Sequence, residues 1–105
     1  MRPAIILVCS LLAGCAGAQR GPSPEGQAAS DCMLREGPEV ARTPTDLDTA
    51  SYALLARCAA ELNGEKQAII NRYPGYRDYI QPRLRQFDEM RLDLARQTIA
   101  TMRAR

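Results

Sequence analysis

A proline–glycine pair, Pro74-Gly75, interrupts a stretch that otherwise carries helical spacing from residue 45 to residue 105. Both residues stop helices, so whatever forms there divides into two helices joined by a turn. Before the break, Leu47, Ser51, Leu54, Cys58, Leu62, Ile69 and Tyr73 fall near one face at a period of 3.6. Glu61 and Glu65 sit close to that stripe and make it narrow. Thr45 or Asp46 is a good N-cap, with Asp48 favoured in the first turn by the helix dipole. Asn63-Gly64 either caps and splits this helix or is tolerated at a cost of about 1 kcal/mol. A continuous or slightly bent helix to Tyr73 is the expectation. After the break, Pro82 either starts or kinks the second helix. Its seam is Leu84, Phe87, Arg91, Leu94, Thr98 and Met102, flanked by Leu92, Ala95 and Ile99, with Arg91 and Thr98 weakening it. Arg85 and Glu89 form one i,i+4 pair in the less favourable order. No repeat, β-alternation or glycine-rich phosphate loop is present. The expected fold is all-α: a hairpin of two helices, or three, occupying residues 45–105.

The N-terminus has a different character. Arg2 is followed by an uncharged apolar run from Ala4 to Leu12, then by Leu12-Ala13-Gly14-Cys15. A membrane-spanning helix needs about 20 apolar residues. This run is about half that length, which fits the core of a secretory signal. Leu12-Ala13-Gly14-Cys15 resembles the lipobox of bacterial lipoproteins. The resemblance implies that the Cys15 thiol receives diacylglycerol and that a signal peptidase cuts between Gly14 and Cys15. The alternative is an ordinary secretory signal with a coincidental cysteine. The lipoproteins' common inner-membrane retention signal is an aspartate after the cysteine. Ala16 stands there instead, which implies an outer-membrane protein anchored by palmitate-class chains and facing the periplasm. One acyl chain holds a protein only marginally, whereas two or three on one residue make release slow.

Removal of residues 1–14 as signal peptide leaves 91 of the 105 residues, enough for one small domain. Net charge falls from +2 to +1, which argues against a nucleic-acid partner. Histidine is absent, removing the usual general base and the commonest metal ligand. Asp88, Glu89 and Asp93 read as a solvated helix surface. The expectation is a non-enzymatic protein with no cofactor, metal or small-molecule substrate. Cys9 leaves with the signal and Cys15 is taken by lipid, so Cys32 and Cys58 remain. Outside the cytoplasm such a pair reads as a disulfide. It closes a loop of about 27 residues and contributes roughly 3.5 kcal/mol. Two free thiols or bonds to other chains are the alternatives. Residues 15–30 are rich in Gly, Pro, Ser, Ala and Gln and read as a flexible tether. Residues 31–44 read as an irregular strap, with turns at Gly37-Pro38 and Thr43-Pro44.

Three groupings bear on partners. Residues 83–105 hold six arginines against Asp88, Glu89 and Asp93. This is either contact with an anionic surface or a solvated face with cations favoured in its last turn. Tyr73, Tyr76 and Tyr79 cluster at the turn and either form a binding tip or close the end of the helical core. Leu84, Phe87, Leu94 and Met102 are the candidate partner-binding residues. A hairpin this small buries little, so its apolar seam is open to a homodimer or to another helical protein. Leu54-Leu55-Ala56-Arg57-Cys58 and Asn63-Gly64-Glu65-Lys66-Gln67-Ala68-Ile69 are similar to words found near the end of phage outer-membrane spanins. That resemblance implies host cell lysis by membrane fusion with an inner-membrane partner. Two departures stand against it: the cysteine lies five residues before the asparagine, and a long helix follows.

Overall fold

The computed structural model describes residues 23–105 apart from Tyr76. The expected signal peptide, Gly14, Cys15 and the first part of the expected tether lie outside the described residues. Within them are four α-helices and no strand: α1 (Pro24–Arg42), α2 (Leu47–Arg57), α3 (Ala59–Arg72) and α4 (Arg77–Arg103). None is long and apolar enough to cross a membrane.

α1 corrects the strap expected over residues 31–44 and the last part of the tether expected over 15–30, because residues 24–42 are helical throughout. The Ser23 hydroxyl accepts from the Gly26 N–H at 3.1 Å, and Pro24 occupies the first helical position, where its missing N–H costs nothing. Pro38 is tolerated on an exposed face and Gly37 does not end the helix. The helix stops at Thr43, which the following Pro44 holds extended (φ −71°, ψ 130°). Few large apolar side chains are needed because small residues allow close packing. A Cβ on Gly26 would lie 3.1 Å from Glu65 Oε1, and one on Gly37 would lie 2.8 Å from Met102 Sδ. Gly26, Ala29, Met33, Gly37 and Val40 form the buried stripe, with Cys32 beside it.

The long helix expected up to Tyr73 is interrupted, though not at Asn63-Gly64, which lies inside α3. The bend is at Cys58 (φ −103°, ψ 18°). The ladder carries on through it: Cys58 N–H donates to Leu54 O at 3.2 Å, and Leu62 N–H donates to Cys58 O at 3.0 Å. The Asp46 carboxylate caps α2, accepting from Thr49 N–H at 3.0 Å. Buried Ser51 is satisfied by donating to Leu47 O at 2.7 Å. At the far end Gly75 takes φ +87°, a conformation that favours glycine, and turns the chain into α4.

Cross-helix pairings fix the directions. Gly26 sits against Glu65 and Cys32 against Cys58, so α1 runs antiparallel to α3. Arg91 reaches Ser30, and Arg103 reaches the Ala41 carbonyl, so α1 runs parallel to α4. The molecule is therefore a three-rod bundle whose middle rod, α2–α3, is bent at the disulfide. Two helices or three were expected over residues 45–105 and three lie there, with α1 as the fourth among the described residues. Ala29, Met33 and Val40 of α1 meet Leu54 and Leu62 of the middle rod and Phe87, Ala95 and Ile99 of α4 in one core. The disulfide Cys32–Cys58, with Cα atoms 5.8 Å apart, lies wholly inside it.

Candidate interaction surface at the hairpin tip

α1 begins beside Glu65, whereas α3 continues to Arg72 before the chain turns back as α4. The last turns of α3 and the first turns of α4 thus project past the start of α1. Ile80 closes the inside of this tip and is 4% exposed. Tyr73 and Tyr79 do not close it, being 36% and 55% exposed, with Ile70 beside them at 37%; Tyr76 lies outside the described residues. Ile70, Tyr73, Pro74, Ile80 and Leu84 line an open cleft of about 690 Å³ on one side.

Arg83 organises the tip's outer face. Its guanidinium carbon lies 5.4 Å from the Tyr73 ring centre and 5.0 Å from that of Tyr79, within cation–π range of both. One of its nitrogens donates to the Tyr79 hydroxyl at 2.9 Å. That hydrogen bond, followed by electrostatic attraction to Tyr79 and Tyr73, raises the Arg83 pKa further above its ordinary value. Among the described residues, no carboxylate pairs with Arg72, Arg83 or Arg85, and the expected Arg85–Glu89 pair is not formed.

The predicted partner residues do not share one open face. Phe87 is buried in the core, Met102 packs over Gly37, Leu84 borders the tip cleft and Leu94 is 39% exposed. The buried stripe of α4 instead runs Ile80, Phe87, Arg91, Ala95, Ile99. Cys32 and Cys58 are brought together, while Cys15 and Gly14 fall outside the described residues.

Sequence reading missed a polar contact inside the bundle. Arg91, 7% exposed, donates through Nε to Glu65 Oε2 at 3.1 Å and reaches the Ser30 hydroxyl at 3.5 Å. Its guanidinium also lies 5.6 Å from the Phe87 ring centre. The signal was available, since Glu65 and Arg91 each sit as a charged blemish in an apolar stripe. Opposite charges in two facing stripes are a reason to pair them. No protein-family model, curated protein or solved structure matches this chain, so its function rests on its own residues.

Proposed function

We propose that the chain is a lipid-anchored envelope protein, held on the periplasmic face of the outer membrane through Cys15 and acting there as a non-enzymatic structural or interaction module. The observation that carries this reading is Leu12-Ala13-Gly14-Cys15 at the end of a short apolar run. A disulfide inside the core is in keeping with it, because such bonds form and persist in oxidising compartments such as the periplasm. Lipid on one residue leaves the whole bundle free to meet other envelope components.

The test is metabolic labelling with palmitate alongside a Cys15→Ser variant. Label entering the wild type but not the variant, with the variant leaving the membrane fraction, is the expected result. No label in the wild type, or a variant that is processed and retained as before, overturns the reading. For a helical partner or a second copy, Leu94→Glu is the informative change, because that side chain is exposed and its loss does not open the core. An unchanged set of co-purifying proteins removes the α4 seam from the proposal. The spanin-like words fall where Leu54, Cys58 and Leu62 are buried within the bundle and Leu55, Asn63 and Lys66 border an open groove.

A further inference from the structure

We propose that the hairpin tip around Tyr73, Tyr79 and Arg83 rests on the anionic headgroups of the bilayer that holds the lipid on Cys15. The inference deepens the anchoring reading and depends on it for geometry, though not for its test.

Three observations converge on a lipid surface as the occupant. The first is place. α1 is antiparallel to α3 and starts beside Glu65, so the chain leading back to Cys15 leaves the bundle at the end that carries the tip. The second is length. Eight residue steps separate Cys15 from Ser23, a chain length that reaches at most about 26–29 Å. From Glu65, α3 runs about 10 Å further before ending at Arg72. The tip projects past the start of α1 by less than that reach, so it lies within range of the surface that holds Cys15.

The third is chemistry. Over residues 70–86 four arginines (Arg72, Arg77, Arg83, Arg85) stand against Asp78 alone. Tyrosine and arginine suit a headgroup region, where a ring sits in the apolar margin and a guanidinium meets phosphate. Arg83 held between two tyrosine rings presents both together. A protein partner of ordinary kind would be expected to supply carboxylates to these arginines, whereas a phospholipid bilayer supplies a continuous layer of phosphates already within reach of the tether.

The sequence contains no tryptophan, so one introduced residue is an unambiguous reporter. Tyr79→Trp places it on the tip, and Tyr52→Trp places it on α2 at nearly equal starting exposure, 55% against 58%. Each variant is purified from envelopes in whatever processed form the cell gives, then mixed with vesicles of phosphatidylglycerol and phosphatidylcholine carrying brominated chains. The expected result is quenching at Tyr79→Trp at least about threefold stronger than at Tyr52→Trp, with a blue shift for the tip alone. Adding Arg72→Gln and Arg83→Gln brings the tip signal down to the Tyr52→Trp level, because each arginine near an anionic surface contributes about fivefold in affinity. Equal quenching at both positions overturns the inference. So does a tip reporter shielded from aqueous acrylamide without vesicles in proportion to protein concentration, since a second copy then covers it. Palmitate labelling is read on the same preparations. Label with an unquenched tip sinks this inference and spares the anchor, whereas a quenched tip without label sinks the anchor and leaves only the tip's affinity for anionic headgroups.

Discussion

The two ends of the bundle treat arginine differently. At the end where α1 stops, Arg57 bridges to Glu36 and Glu39, Arg96 to Asp48 and Asp93, and Arg103 donates to the carbonyls of Ala41 and Thr43. These contacts join α1 to α2, α2 to α4 and α1 to α4. At the tip, Arg83 meets only tyrosine rings and a hydroxyl, and no carboxylate faces Arg72 or Arg85 among the described residues. Among the described residues, three arginines at the first end are tied across helices while Arg42 and Arg105 there form no ion pair, and none of Arg72, Arg83 and Arg85 at the tip pairs with a carboxylate. Exposed ion pairs each contribute little to stability, so the contrast bears mainly on what each end is available to bind.

The same contrast divides stability, and the disulfide gives its largest test. α1 braces the bundle from Gly26 to Ala41, tied by Cys32–Cys58, while the tip stands as two helices only. Replacing both cysteines with alanine should cost about 3.5 kcal/mol on the loop-entropy relation. For a domain of this size that lowers Tm by about 15–25 °C. Thermal melts of the double variant against the oxidised protein check it. A fall of only a few degrees would mean that α1 docks without the bridge.

Next in size is the buried pair. Arg91→Ala takes the partner from the Glu65 side chain, which is 15% exposed in the intact pair, at a cost of about 2–4 kcal/mol. Arg91→Met combined with Glu65→Gln should recover most of that loss, because both charges then leave together. If the double variant is as unstable as Arg91→Ala, the guanidinium's own hydrogen bonds to Glu65 and Ser30 matter more than the unpaired charge.

Two glycine substitutions probe how crowded each region is. A Cβ added at Gly64 would meet nothing within 4 Å, so Gly64→Ala should stabilise α3 by about 0.8–1 kcal/mol. The same change at Gly37 gains the same propensity but sets a methyl 2.8 Å from Met102 Sδ. That methionine end is flexible and gives way, at a cost that offsets the gain. Denaturant midpoints of the two variants should therefore differ, with Gly64→Ala higher.

Much of the helical half was legible because its signals are local. The Asp46 cap, the turn at Pro74-Gly75 and the Leu54–Cys58–Leu62 stripe each depend on residues close in sequence. α1 was not legible for the opposite reason. Its glycines and alanines look like a tether until α3 and α4 are close enough for small side chains to be an advantage. Pro38 reads as a turn in isolation and is harmless once on an exposed face. The bend at Cys58 follows from docking against Cys32, which no helix-period count contains. Of the candidate surface, the tyrosine cluster was visible, but its exposure depends on where α1 begins, and that is a tertiary fact.

Acid should separate the two ends most gently. Asp46 is held below its ordinary pKa of 3.8, chiefly by the hydrogen bonds from the Thr49 hydroxyl and N–H, and Glu39 is held below 4.5 by Arg57. Both carboxylates therefore bind protons more weakly in the folded protein than in the unfolded chain. Their contribution is fully present above about pH 4.5 and is lost as pH falls through the lowered folded values. Both lie at the braced end, where α1 finishes and α2 starts, and both are exposed, so the loss is small. Amide exchange compared at pH 5 and pH 3, corrected for intrinsic rates, should show protection falling in the first turn of α2 and the last turn of α1. Protection at Ile80 and Leu84 should stay level. A uniform fall along all four helices would mean that acid acts on the whole bundle, and that the two ends are not the separate units their charge pairing describes.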